Sequence, residues 1–267
     1  MVGESRNQPR PPMPRRGTSG PDLPTMSFLE HLEELRKRLL RSVYAIAAAF
    51  AVCLTYARKI LDFFIDPIRS LPGKPQPVFL DLTEPFLLYM KVAFLASLFL
   101  SAPLVLYQVW AFIRPGLYPR ERRYATPFGV FATVFFLLGG AFGYYVAFPA
   151  ACRFLLSVAE GFTPALRVSS LFAFESKMIL GMGLVFELPT LVYFLSRLGL
   201  ITAGFLWRNF KYAVLIIFIV AAVITPTPDV VTQCIFAGPM ILLYLFGILV
   251  AHVFGRERAP QAATEEA

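Results

Sequence analysis

Residues 92–113 read VAFLASLFLSAPLVLYQVWAFI, a run of 22 residues without one charged side chain. An α-helix needs about 20 apolar residues to cross the roughly 30 Å hydrocarbon core of a bilayer. The rest of the chain is similar, because 57% of its 267 residues are hydrophobic and only 16% are charged. A soluble fold of this length cannot bury so much apolar surface. The sequence therefore predicts a protein whose solvent is lipid.

Five further apolar stretches accompany this one, so the chain is predicted to have six membrane-spanning helices. In the fifth, only about 14 apolar residues separate Lys211 from Pro226, which gives about 21 Å of helix and predicts a locally thin bilayer. An even number of spans places both termini on the same side of the membrane. The predicted spans are 42–57, 92–113, 124–152, 178–196, 212–225 and 230–251.

The distribution of positive charge indicates which side that is. Cytoplasmic segments of membrane proteins carry an excess of Lys and Arg. With the N-terminus in the cytoplasm, 17 of the 25 Lys and Arg residues fall on the cytoplasmic side. The sequence thus predicts a multi-pass protein of the cytoplasmic (inner) membrane with both termini inside. Its net charge of +8 is explained by this orientation, and no nucleic-acid partner is predicted.

Composition divides the chain into three regions. Residues 1–25 contain six prolines and no apolar run, which is typical of a disordered tail and not of a signal peptide. Ser27 and Glu30 have the spacing of a capping box, so a helix is expected to begin there at the cytoplasmic interface and lead into span one. The membrane domain is predicted to cover 26–254, and 255–267 is predicted to be a flexible cytoplasmic tail.

Two sizeable segments are predicted to lie outside the membrane on the external face. Residues 58–85 carry charges and prolines, with a short helix expected at about 61–70. Residues 149–172 are similar in scale. External segments of this length are expected to form caps over the spans.

The residue types needed for metal binding or catalysis are scattered. Cys53, Cys152 and Cys234 stand singly in or beside spans, without the spacing of a metal or redox motif. The two histidines, His31 and His252, lie at opposite ends of the chain. The sequence has no phosphate-binding loop of the G-x-x-x-x-G-K-[ST] type. No cofactor and no enzymatic activity are predicted.

Four separated motifs carry a resemblance to a known family. In this order they resemble the TatC proteins, the signal-peptide receptor subunits of the twin-arginine translocase, over nearly all of 26–254. The hairpin departs from the more usual TPPD, and the basic cluster before span five is thinned to WRNFK at 207–211. The motifs are LEHLEELRKRLL at 29–40, YQVWAFIRPGLYPRERR at 107–123, FELP at 186–189, and TPTPD at 225–229 followed by Gln233.

The resemblance implies a cupped, all-α bundle that acts as a receptor. Its cargo would be folded proteins that carry an N-terminal signal with paired arginines, exported with the energy of the proton gradient. Its partners would be TatA-type and TatB-type single-span subunits, membrane lipid, and further copies of the chain in a homo-oligomer within the complex.

Carboxylates are the natural ligands for an arginine pair, because a planar guanidinium donates two parallel hydrogen bonds to a carboxylate. Four acids lie near the predicted cytoplasmic surface, and the resemblance singles out Glu34 and Glu121 as the arginine-contacting pair. A purely local role is the alternative for Glu34, since Arg38 lies four residues further along the helix. Such a pair contributes only a few tenths of a kcal/mol.

Three further residues near this surface have two interpretations each. The resemblance implies that Arg36 helps to organise the site, whereas its position alone is that of a positive-inside anchor. Phe112 and Tyr118 are expected either to contact the signal peptide or to belong to the aromatic belt at the membrane interface.

Glu187 is the only charged residue in the predicted span four. A carboxylate at such depth is costly unless it is protonated, paired or facing a wet cavity. One interpretation is a protonated acid bonded to another helix, and the resemblance implies a functional polar position on a concave surface, with Gln233 as a candidate neighbour.

Two other functions have less support from the sequence. A proton-coupled transporter of a small solute would use Glu187, but the sequence has no convincing internal repeat. An intramembrane hydrolase is disfavoured because only one acid is expected deep in the spans.

Overall fold

A computed structural model describes residues 28–69, 77–113, 125–159, 161–162, 165–225 and 229–255. In these ranges the fold is all-α, with one isolated parallel β-bridge between Val78 and Arg167. Four parts of the chain lie outside the described residues: the predicted tail 1–25, the predicted tail 255–267 except Gly255, the capping residue Ser27 and part of the TPTPD hairpin. The helices are α1 (Phe28–Thr55), α2 (Ala57–Arg69), α3 (Glu84–Ile113), α4 (Ala125–Phe142), a π-helical turn (Gly143–Ala147), α5 (Phe148–Val158), α6 (Val168–Val185), α7 (Leu188–Arg197), α8 (Ala203–Arg208), α9 (Phe210–Ile224) and α10 (Val230–Phe254).

Five helical stretches within the described residues are long and apolar enough to cross a membrane. The remaining predicted span, the fifth, corresponds to α9, which is apolar but has only 15 residues, about 22 Å of helix. The prediction of an all-α membrane protein with one short apolar helix is therefore confirmed. The five long stretches are Leu29–Thr55, Glu84–Ile113, Gly129–Val158, Val168–Arg197 and Val230–Phe254.

Helix α1 contains both the expected interfacial segment and the predicted span one. The structure has one continuous helix from Phe28 to Thr55. No glycine or proline occurs in this stretch, so nothing interrupts its backbone hydrogen bonds. The charged segment and the apolar segment are thus two parts of the same helix. The short helix predicted at about 61–70 is observed as α2, which begins four residues earlier, at Ala57.

Successive spans run in opposite directions. His31 and Phe112 stack at one end of the α1–α3 pair, and Phe50 and Phe94 meet towards its other end. Helices α4 and α6 are likewise antiparallel, and two glycines allow their close approach. A Cβ at Gly139 would lie 2.5 Å from the carbonyl oxygen of Met182, and the other glycine begins the π-helical turn. The G-x-x-x-G spacing of span three therefore has a packing role.

The largest buried cluster joins α5, α6, α9 and α10. Phe148, Met178, Met182 and Phe236 are at its centre and have essentially no exposed surface. This core fixes the short helix α9 and the final helix α10 against span four.

Span four is longer than predicted and is broken in the middle. It runs from Val168 to Arg197, with a turn at Phe186 and Glu187 between α6 and α7. Pro189 explains the break, because proline lacks the N–H that would bond to the carbonyl four residues earlier. The predicted start at residue 178 is wrong, since the helix begins ten residues earlier. Glu175 consequently lies inside this span, and only 1% of it is exposed.

The segments just before α3 and α6, both predicted to lie on the external face, are joined by a buried carboxylate, a connection that we call the external clasp. Glu84 is 5% exposed and accepts hydrogen bonds from Arg167 Nε and from the backbone N–H groups of Leu80 and Ser169, each at 3.1 Å. The backbone N–H of Val78 also donates to Leu166 at 2.8 Å. These bonds tie residues 78–84 to the beginning of α6.

Replacement of Glu84 by alanine is expected to lower the thermal unfolding midpoint of the purified protein by several degrees, because three donors lose their acceptor. Glu84→Gln retains one acceptor oxygen, so its unfolding midpoint should lie between those of the wild type and Glu84→Ala. Asp62→Ala is the matched control, since Asp62 is exposed and only loosely paired with Arg69, at 3.7 Å. Equal midpoints for Glu84→Ala and Asp62→Ala would exclude a stabilising clasp.

Candidate functional site

The predicted recognition residues that the structure describes lie where the beginning of α1 meets the end of α3. Glu34 faces α3 and its side chain is 19% exposed. Its Oε1 accepts a hydrogen bond from Arg38 Nε at 2.9 Å. Its Oε2 is buried and has no hydrogen-bond partner among the described residues. Oε1 of this carboxylate therefore has a partner, whereas Oε2 retains its capacity to accept hydrogen bonds.

Arg38 links this carboxylate to α3. Its Nη1 lies 3.4 Å from Oε1 of Gln108, a half-buried residue five positions before the end of that helix. The Glu34–Arg38 pair predicted as a local helix contact is confirmed, and the contact with α3 gives it a tertiary role as well.

Phe112 is also part of this group. Its ring stacks on the imidazole of His31, with ring centroids 4.4 Å apart and an interplanar angle of 20°. Both side chains are half-buried. A flat aromatic surface therefore lies one helical turn from Glu34, which suits either a bound peptide or an interfacial position.

The remaining residues of the predicted site are distributed differently. Arg36 is exposed, and Arg38 is the arginine that contacts Glu34. Lys37 and Glu33 form the predicted second pair at 2.7 Å, but their side chains are 62% and 63% exposed. Tyr118 and Glu121 lie outside the described residues.

Glu187 occupies the turn between α6 and α7, where the helical hydrogen bonding of span four is interrupted. It is half-buried, and its Oε1 has no hydrogen-bond partner in the described part of the chain. Just beyond it, Pro189 and Thr190 line a cavity of about 350 Å³ together with aromatic side chains of α4 and α10. The acid thus adjoins an apolar groove, and part of its surface remains accessible.

Gln233 is not positioned beside Glu187 by the packing of the helices. Helices α7 and α10 run parallel, with Val192 beside Gly247 and Ser196 Oγ donating to the carbonyl of Ala251. By this register the level of Glu187 on α10 is about nine residues, or about 13 Å, beyond Gln233. The amide of Gln233 instead donates to the carbonyl oxygen of Phe218 at 2.8 Å. It joins α10 to α9.

Glu175 is a second deep acid that the sequence analysis missed. It lies in α6, and its Oε1 has no hydrogen-bond partner among the described residues. The expectation of a single acid within the spans is therefore wrong. Twelve residues separate it from Glu187, about 18 Å along a helix, so the two carboxyls cannot act as a catalytic pair. The apolar residues on both sides, in LFAFESKMIL, are the signal that would have placed it inside the span.

Comparison with known proteins gives a consistent result. The family described as "Sec-independent protein translocase protein (TatC)" matches residues 30–239. A relative from Koribacter versatilis, named Sec-independent protein translocase protein TatC, is 47% identical over 91% of each chain. A protein of the same name from Helicobacter pylori strain J99 is 41% identical over 83% of this chain and 87% of its own.

Solved structures agree with the sequence relatives. Two crystal structures titled as the twin-arginine translocase receptor TatC, one of them in DDM, are 33% identical to the chain. They superimpose with TM-scores of 0.74 and 0.76, covering 83% of this chain and 98% and 99% of theirs. The match to the family over most of the helical bundle, together with these relatives, shows that the chain belongs to the TatC family of Sec-independent protein translocase proteins.

Proposed function

We propose that this TatC protein, a receptor subunit of the twin-arginine translocase, binds the arginine pair of a signal peptide at the end of the bundle where α1 meets α3. It serves there as the core subunit of a translocase that exports folded proteins across the cytoplasmic membrane with the energy of the proton gradient. Its role is recognition and conduction of a protein cargo, and no enzymatic step is part of it.

The state of Glu34 is the observation that carries this proposal. A carboxylate that is largely buried but keeps one oxygen without a partner is prepared to accept a further strong donor. A guanidinium is the donor that fits best, because it offers two parallel N–H groups. The stacked rings of His31 and Phe112 supply an adjoining flat surface on which a guanidinium or an apolar side chain can lie.

Glu121 provides the second carboxylate of the proposed site. It belongs to the connection from α3 to α4, which begins two residues after Phe112. Arg36 lies on the exposed side of α1 and is proposed to help organise the site. Tyr118, in the same connection as Glu121, is proposed to contact the peptide.

The proposal is tested by equilibrium binding of two labelled signal peptides to the purified protein. One peptide carries the arginine pair and the other has Lys-Lys at the same positions, so net charge is unchanged. The arginine peptide should bind at least about tenfold more tightly, because an ammonium cannot reproduce the bidentate contact. Equal affinities would refute a site that reads arginine.

Alternating helix directions support both termini lying at one face of the membrane, which the charge distribution identifies as the cytoplasmic face. Reporter fusions after residue 254 and within 114–123 are expected to report cytoplasm. Fusions within 70–80 and 160–168 should report the outside. A C-terminal reporter on the external side would overturn the six-span arrangement and the crossing of α9.

The proposed partners are inferred from the half-buried acid in span four. Glu187 and its groove are proposed to receive a polar residue of a single-span TatA-type or TatB-type subunit, since a polar group in lipid is stabilised by a polar contact on another helix. Lipid covers the remaining apolar surface, and several copies of the chain form the core of the complex.

A further inference from the structure

We propose that Arg38 is a built-in occupant of the arginine site. It holds the Glu34 carboxylate in the free receptor, and the arginine of an incoming signal peptide displaces it. The affinity of the site is then set by competition between two guanidinium groups for one carboxylate. This inference rests on the proposed function and names the residue that regulates the same site.

Two pairs on one helix show that the Glu34–Arg38 contact is more than a local helix interaction. Glu33–Lys37 and Glu34–Arg38 have the same four-residue spacing and adjacent positions on α1. The first pair is more than 60% exposed, whereas the side chains of Glu34 and Arg38 are 19% and 21% exposed. The difference comes from α3, which covers only the second pair. Arg38 is therefore held in the place where a ligand guanidinium would bind.

The contacts of Arg38 also provide a route for its displacement. Its guanidinium touches Oε1 of Glu34 and, through Nη1, Oε1 of Gln108. Oε2 of Glu34 is the oxygen without a partner among the described residues. Because this oxygen is buried, an incoming arginine reaches it as Arg38 moves away from the carboxylate, which can accept several hydrogen bonds during the exchange. Arg38 then keeps the neutral amide of Gln108 as its partner and is not left unpaired.

Competition of this kind explains how the site would reject a lysine pair. Nε and Nη2 of the resident guanidinium already both donate to Oε1 of Glu34. An arginine of the signal replaces that contact with an equivalent one, whereas a lysine offers only a point charge. The resident arginine thus excludes cations that bind Glu34 more weakly than it does, and this competition increases the specificity of the site for arginine.

The experiment compares Arg38→Gln with Lys37→Gln, which removes the same charge from the neighbouring, exposed position. Both purified proteins are titrated with the arginine-pair peptide and its Lys-Lys version. Arg38→Gln should bind the arginine peptide about fivefold more tightly than Lys37→Gln, the scale of one partly screened ion pair. Its preference for arginine over lysine should fall, and Arg38→Lys should give intermediate values.

Thermal unfolding establishes that each variant is folded. If Arg38→Gln does not fold, Arg38→Lys is compared with Lys37→Gln in its place. The competitor role would be overturned if Arg38→Gln and Arg38→Lys bound the arginine peptide no more tightly than Lys37→Gln. Weaker binding than in Lys37→Gln would identify Arg38 as a contributor to binding. Failure of the proposed function is recognised separately, since wild-type protein would then bind both peptides equally.

Discussion

Alanine in place of Glu34 or Glu121 is expected to weaken binding of the arginine-pair peptide by about 30-fold or more. A partly desolvated arginine–carboxylate pair that loses one member costs about 2 to 5 kcal/mol, and every 1.4 kcal/mol is a factor of ten in affinity. The affinity of the wild type should also decrease with added salt, because the site lies at the wet surface of the membrane. Equilibrium titration with a labelled peptide measures both effects.

Glu33→Ala is the control for this result, because Glu33 is on the same helix, carries the same charge and is exposed. It is expected to change affinity only slightly. The amount of membrane-inserted protein should be normal in all variants. A Glu34→Ala, Glu121→Ala double variant of normal abundance and unchanged affinity would remove both residues from the site.

The second large effect concerns Glu187, whose replacement by leucine is expected to abolish or strongly impair export while leaving insertion and signal binding near normal. Removal of a deep carboxylate favours the lipid phase, so the helix should insert well. The proposed arginine site lies at the α1–α3 end, outside the groove that Glu187 adjoins. Export of a reporter cargo and crosslinking to single-span subunits are the two measurements.

Glu175→Leu is the matched control within the same span. Its carboxyl is 1% exposed, so no partner can reach it, and leucine of similar volume removes a polar group that lacks a described hydrogen bond on one oxygen. Export should survive in this variant. Wild-type export from a stably inserted Glu187→Leu protein would show that Glu187 has no required role. Glu187→Gln keeps the shape of the side chain without its charge, so export in this variant shows whether the charge is needed.

Much of the fold is predictable because lipid imposes a simple requirement on each span. Apolar runs of sufficient length identify the long helices, and the shortness of α9 follows from the distance between Lys211 and Pro226. The beginning of span four was misjudged because Glu175 interrupts its apolar run. Burial of that acid depends on other helices packing against α6, which a window along the sequence does not include.

In the candidate site too, local contacts are predictable from the sequence and contacts between distant residues are not. Glu34 and Arg38 were paired by their spacing alone, since a helix brings residues four apart together. Gln108 and Phe112 lie about 70 or more residues further along, so only the packing of α3 on α1 shows their contacts. Glu84 was missed for this reason too, because its partner Arg167 is 83 residues away.

Competing functions are resolved by the relatives and not by composition. A deep glutamate in a six-span chain is compatible with a proton-coupled transporter, and the acid in this chain has the same physical properties in either case. The TatC assignment over residues 30–239 supports the translocase instead.

Site-specific photocrosslinking tests the central claim most directly. A signal peptide with a photoreactive residue next to its arginine pair is bound to the membrane-inserted protein, and the attachment sites are mapped by mass spectrometry. The crosslinks should fall on α1 between His31 and Arg38, on the end of α3 near Phe112, or on the connection at 114–124, and the Lys-Lys peptide should lose them. Crosslinks at the external clasp, or crosslinks of equal yield with both peptides, would contradict recognition of the arginine pair at this end of the bundle.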